Sequence, residues 1–176
     1  ASIRRSCSWP SRPAVSSLKR IVPVTAYGRL KAIKTTSAAP LIDGFSVRSE
    51  RNSSTQYIAS YDFDTGKELW RTNREEIDTW ATPLIVEHAG RAQVVVSGMN
   101  RLRSYDLETG QVVWHSPGLT MNPIPSPVGE DGIVIATSGF RGNNLKAIRI
   151  ADAKGDLTGS KAIVWSLDRD TPYVPS

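Results

Sequence analysis

An eleven-residue phrase is written twice in this chain. SYDFDTGKELW at residues 60–70 returns as SYDLETGQVVW at residues 104–114. Ser60, Tyr61, Asp62, Thr65, Gly66 and Trp70 recur, each 44 residues on, as Ser104, Tyr105, Asp106, Thr109, Gly110 and Trp114. A fixed period of this size is the mark of stacked supersecondary units. Other markers keep the same step. Thr82-Pro83-Leu84 returns as Ser126-Pro127-Val128 after 44 residues, and Ala39-Pro40-Leu41 stands 43 residues upstream of the first. Ser97-Gly98 and Ser138-Gly139 each close an apolar, β-branched run. A degraded third copy, KAIRIADAKGDLTGSKAIVW at residues 146–165, has its Trp165 51 residues after Trp114. Gly155, Asp156 and Gly159 fall in the extra stretch, which predicts a longer hairpin loop.

One unit shows what repeats. Pro83 to Glu87 reads as a short strand opened by a proline, a position that tolerates it. Gln93 to Ser97, with Val94-Val95-Val96 at its centre, reads as a second strand. Leu102 to Leu107 alternates as a third, and Gln111 to Trp114 forms a fourth after the turn Glu108-Thr109-Gly110. The phrase itself reads as a hairpin with an aromatic clamp. Gly66 and Gly110 supply positive φ. Asp62 and Asp106 are placed to accept from turn amides, and Thr65 and Thr109 add hydroxyls. Trp70 and Trp114 close the fourth strand and can bury a large area against the next unit. A four-stranded unit repeating at this period predicts β-propeller blades.

Charge divides the chain. Before the first acidic residue, Asp43, stand eight basic residues; from Asp43 onward 14 basic and 17 acidic residues leave the remainder mildly acidic. Residues 1–38 are rich in Ser, Arg, Lys and Pro without a sustained helical or strand period. Three readings of this head stand open: a disordered basic tail, a displaced reading frame or artificial boundary, and an arm for nucleic acid or another anionic surface. Its aromatics, Trp9 and Tyr27, are too sparse for a base-stacking platform, so nucleic-acid binding is not expected. No apolar core of signal-peptide length follows Arg4-Arg5, and no run approaches a membrane span. Cys7 is the one cysteine, which excludes an internal disulfide and a cysteine-based zinc site. His88 and His115, 27 residues apart, have no metal-ligand spacing.

Asp-x-x-Thr-Gly-x-x-x-Trp at the end of such a unit resembles the tryptophan-docking repeat of pyrroloquinoline-quinone-like β-propellers. Asp62-Thr65-Gly66-Trp70 and Asp106-Thr109-Gly110-Trp114 match it in full; in the third copy Arg149 stands near the Asp position and only Trp165 matches. The resemblance covers residues 39–176. It implies an all-β fold, an incomplete β-propeller of about three four-stranded antiparallel blades. These fall at about 39–71, 82–115 and 125–166, with a further blade opening at 174–176, where Val174-Pro175-Ser176 repeats Ile124-Pro125-Ser126. It also implies an extracytoplasmic location. Three blades cannot close a ring, so the chain reads as part of a longer protein, whose remaining blades, or other protein chains, are its expected partners.

The family spans several functions. Quinoprotein dehydrogenases hold pyrroloquinoline quinone and Ca²⁺ on the ring axis, outer-membrane assembly lipoproteins use a similar ring as a scaffold, and many members have no assigned role. The dehydrogenases need a vicinal disulfide, which one cysteine cannot form. Calcium takes six to eight oxygens. Asp152, Asp156, Asp168 and Asp170 are interspersed with Arg149, Lys154, Lys161 and Arg169, and no calcium-loop pattern appears. Glu75-Glu76 with Asp78 reads as an inter-blade connection. The expectation is therefore a non-catalytic scaffold or binding module with no catalytic, cofactor or metal residues. Its alternatives are a fragment of a quinone- and calcium-dependent alcohol dehydrogenase and an outer-membrane assembly scaffold. Arg169, Asp170 and Tyr173, in the loop DRDTPY that leaves the third blade, are the binding candidates.

Overall fold

The computed structural model describes residues 31–35, 56–62, 65–76 and 79–174. Among them β1 (Lys31–Thr35), β2 (Gln56–Asp62) and β3 (Glu68–Arg74) form one antiparallel sheet in that order. The second is a meander of β4 (Leu84–His88), β5 (Arg91–Gly98), β6 (Arg101–Asp106) and β7 (Val112–Pro117). The third holds β8 (Val128–Glu130), β9 (Ile133–Ser138) and β10 (Asn144–Arg149), and ends on β12 (Ile163–Leu167). Between β10 and β12 lie a 3-10 turn at Ile150–Asp152 and the two-residue β11 (Gly155–Asp156). The all-β architecture follows from the period-2 text and the tight turns; among the described residues the first sheet has three strands, the third four, and the second a four-stranded meander joined at its edge by β11.

Two expectations are corrected. β1 lies inside the stretch 1–38, for which a disordered tail is one of three open readings, and it pairs with β2 from Lys31↔Asp62 to Thr35↔Ile58. Ladder bonds come from the backbone, so an edge strand can form in text that lacks a clear side-chain pattern. The upstream marker Ala39-Pro40-Leu41 lies outside the described residues. The second correction concerns the insert in the third unit. It is a strap rather than a simple hairpin loop. β11 adds to the outer edge of β7 in parallel, with Gly155 beside Trp114 and Asp156 beside His115. The Leu157 N–H donates to the His115 carbonyl at 2.9 Å. Ile150, Ala153, Leu157 and Ala162 of the strap are buried in the core between the second and third sheets, which is the physical reason it folds back.

A β-bulge falls at the same point of every sheet: between Ser60 and Tyr61, Ser104 and Tyr105, and Ala147 and Ile148. It sets Trp70 opposite Ser60, Trp114 opposite Ser104, and Trp165 opposite Ala147. The three tryptophans are therefore structural equivalents, and the insert has not changed the facing of the third.

The sheets stack face to face through two joints of different chemistry. Between the second and third, Val95, Leu102 and Trp114 meet Val134, Ala136 and Ile148 in one apolar cluster. Between the first and second, Ile58 meets Val94, Val96 and Tyr105, and a polar region adjoins this smaller cluster.

Candidate functional site

The repeated phrase builds a turn and a dock. Asp106 Oδ1 accepts from the N–H groups of Glu108 and Thr109 at 3.1 and 2.9 Å and from the Thr109 hydroxyl at 3.0 Å. Arg91 donates to Asp106 Oδ2 at 2.9 Å. Burial pushes the Asp106 carboxyl up, but the Thr109, Arg91 and Glu108 bonds outweigh it and hold the group below its ordinary range. Gly110 closes the turn at φ +72. The Trp70 ring lies directly on it: a Cβ at Gly110 would fall 2.4 Å from Trp70 Cε3. Trp70 Nε1 donates to the Leu107 carbonyl at 3.0 Å, and the Thr72 hydroxyl donates to the Gly110 carbonyl at 2.7 Å. The turn of one sheet thus receives the tryptophan of the sheet before it. In the first copy Gly66 takes φ +69 and the Lys67 N–H donates to Thr65 Oγ1 at 3.3 Å. The Asp62 side chain lies outside the described residues.

Trp114 faces the third sheet and is fully buried. Its Nε1 donates to Gln93 Oε1 at 3.0 Å, an acceptor shared with the Ser104 hydroxyl at 2.8 Å. Trp165, the third equivalent, is 42% exposed.

The polar joint centres on Glu76. Its carboxylate meets Arg74 Nε at 3.2 Å, Arg103 Nε at 2.6 Å and Arg101 Nε at 3.8 Å. The side chains of Arg74 and Glu76 are 2% and 3% exposed. Gly98 makes room, since a Cβ there would stand 2.6 Å from Arg74 Nη2. Burial also pushes the Tyr105 hydroxyl, on the same face, up. Glu75-Glu76, expected as a plain inter-blade connection, instead carries the carboxylate that Arg74, the last residue of β3, meets in the joint. By the bulge register, Lys146 stands in the third sheet where Arg103 stands in the second. No carboxylate meets it among the described residues. Its Nζ donates instead to Ser116 Oγ at 3.2 Å and to the Pro117 carbonyl, and burial lowers its pKa.

The loop candidates separate. Tyr173 stacks on Phe140 with ring centroids 5.5 Å apart, and Arg141 lies 5.4 Å over the Phe140 ring. Thr171 ties this loop down by donating to the Ser138 carbonyl at 2.9 Å. Arg169 and Asp170 are exposed, with no hydrogen bond or ion pair among the described residues. The structure does not gather the three into a site. Among the described residues no three His, Cys, Asp or Glu side chains converge as a metal site would need.

What the structure does assemble is an open face. Val128↔Ile135, Ile135↔Ala147 and Ala147↔Trp165 stand opposite one another across the third sheet, as do Leu145↔Leu167. They share the face turned away from the second sheet. Val128 is 59% exposed and Leu167 50%. A shallow depression runs over Val128, Gly129, Glu130, Ile133 and Ile135. The equivalent faces of the first and second sheets are covered by the next sheet. Val128, Trp165 and Leu167 on this face are exposed, while Ile135 and Leu145 are half-buried and Ala147 is buried.

Comparison with known proteins bears on which family builds such blades. No curated protein sequence matches the chain. Among solved structures it is similar to the crystal structure of BamB from Moraxella catarrhalis, with 17% sequence identity and a TM-score of 0.48. The match covers 62% of this chain and 34% of that one, so the chain spans about a third of that protein. A family model described as outer membrane protein assembly factor BamB, of the PQQ-like repeat type, matches residues 45–175. That match takes in both full copies of the repeated phrase, the strap and all of the third sheet, and the chain belongs to this family.

Proposed function

We propose that the chain is a non-catalytic propeller scaffold, free of cofactor, that works by protein–protein contact through the open face of the third sheet. The carrying observation is Trp165. Its equivalent Trp70 is docked on a glycine turn and hydrogen-bonded to a carbonyl of the following sheet, whereas Trp165 stands on an uncovered apolar face. The occupant in this reading is a further four-stranded blade that presents a positive-φ glycine turn. The family description supports a finer reading, an extracytoplasmic role in outer-membrane protein assembly.

A photo-crosslinking residue at Val128, in the chain expressed in a bacterial periplasm, tests this. The expected product is a cross-link to another repeat blade or to an outer-membrane assembly protein, identified by mass spectrometry. Absence of any polypeptide cross-link refutes the scaffold reading. Dye-linked alcohol oxidation on adding pyrroloquinoline quinone and calcium refutes its non-catalytic part.

A further inference from the structure

The chain contains its own example of strand addition. β7, the outermost strand of the second sheet, takes β11 along its free edge in parallel. Four features hold that contact: the backbone pairing of Gly155 with Trp114, the bond from the Leu157 N–H to the His115 carbonyl, the burial of Leu157 in the cluster that holds Trp114, and the approach of His115 Nδ1 to within 3.8 Å of Asp156 Oδ1. Gly155 enters at φ +65, and Asp156 closes the exit by accepting from the Thr158 N–H at 2.9 Å and the Thr158 hydroxyl at 2.7 Å. The recognition pattern is therefore glycine, acidic residue, aliphatic residue.

β12 is the equivalent outermost strand of the third sheet, with Trp165 for Trp114 and hence Ser166 for His115. Among the described residues no strand pairs with its outer edge. Exposed edges are ordinarily guarded by charge. The outer strand of the first sheet follows that rule: Glu68 and Arg71 form an ion pair on β3, and Arg71 also lies 3.7 Å over the Tyr57 ring. β12 reads Ile163-Val164-Trp165-Ser166-Leu167 and carries no charge at all. Val164, Trp165 and Leu167 are all exposed. An uncharged, apolar, unpaired edge is a template for main-chain pairing.

We propose that the outer edge of β12 is a strand-docking site for an extended polypeptide segment of the pattern glycine–acidic–aliphatic, running parallel to β12. Its glycine stands opposite Trp165, its backbone N–H two residues later donates to the Ser166 carbonyl, and its aliphatic side chain lies on the open face beside Trp165. This contact is on the edge of the sheet, so its failure leaves the proposal for the face standing.

The probe is the chain's own strap sequence as a capped peptide, AKGDLTGS, titrated to millimolar concentration into the isotope-labelled full chain. A few main-chain bonds and one aliphatic anchor give binding of about millimolar strength, within reach of chemical-shift mapping. The expected result is shifts confined to the amides of residues 163–167 and the Trp165 indole, with none on β3. A peptide N-methylated at its leucine should lose them, and so should the variant Ser166→Pro. Absence of shifts on β12 overturns the proposal, as do equal shifts with the N-methylated peptide, which requires no variant to fold. Antiparallel pairing of β12 with a second copy, seen as a dimer by sedimentation that the peptide does not dissociate, overturns it as well.

Discussion

Glu76→Ala is the substitution that tests the polar joint most directly. The carboxylate stands between Arg74 and Arg103, whose side chains are 2% and 13% exposed, and reaches Arg101 at the margin. At an effective dielectric of about 20, each contact near 4 Å is worth about 4 kcal/mol in gross terms. Desolvation of the three groups offsets most of that in the intact network. Removing the carboxylate keeps the desolvation of the two arginines and deletes the attraction, and losses of this kind run to about 3–5 kcal/mol. Urea unfolding followed by tryptophan fluorescence reads the total. Hydrogen exchange reads the location: amides of β2 and β3 should exchange faster, and those of β9 and β10 should not change. The triple variant Arg74→Met, Glu76→Leu, Arg103→Met removes the buried charges together, leaves only the half-exposed Arg101 at the margin, and should recover most of the loss. A Glu76→Ala cost below about 1 kcal/mol, or faster exchange spread evenly over the sheets, would refute the reasoning.

Trp114→Ala should cost about 3–5 kcal/mol, because a fully buried indole leaves a cavity under the strap; a change within error in urea unfolding contradicts that burial. Lys146→Met should stabilise by about 1 kcal/mol at neutral pH, since a buried cation without a carboxylate is replaced by an apolar side chain. The Lys146 pKa is lowered in the fold, so the penalty on the wild type is full below the folded value, shrinks as pH rises above it, and is gone above the ordinary lysine value. The gap between the two proteins should therefore narrow in alkali, and a gap that widens reverses the sign of the argument. Asp106→Asn should cost about 1–2 kcal/mol at pH 7 through lost charge-assisted bonds to the turn. The folded pKa of Asp106 is depressed, so its contribution is complete above the ordinary carboxylate value and lost as pH falls through the depressed one. Equal stability of variant and wild type at pH 7 contradicts this.

The parts of the fold legible in the sequence are those set by local chemistry. Asp106, Thr109 and Gly110 announce a turn because positive φ and short side-chain acceptors are needed within five residues of one another. Trp70, Trp114 and Trp165 announce a repeated clamp because little else justifies a tryptophan at one phase. What was not legible depends on distant partners. β1 forms through backbone pairing, which leaves no side-chain signature. The strap looked like a loop because Gly155, Asp156 and Gly159 are turn residues wherever they occur, and only the spatial nearness of β7 makes Gly155 and Asp156 a strand. Glu76 looked like a solvated linker charge, since its arginine partners on β6 lie more than twenty residues away in the chain. Arg169, Asp170 and Tyr173 share a loop, and position in one loop alone does not make side chains converge.

The two glycine turns differ in one respect that bears on building with this chain. At Gly110 the space above the turn is filled by the Trp70 ring, whereas at Gly66 nothing among the described residues lies within 4 Å of where a side chain would begin. Foreign sequence spliced into the second turn would have to expel an indole before it could be displayed.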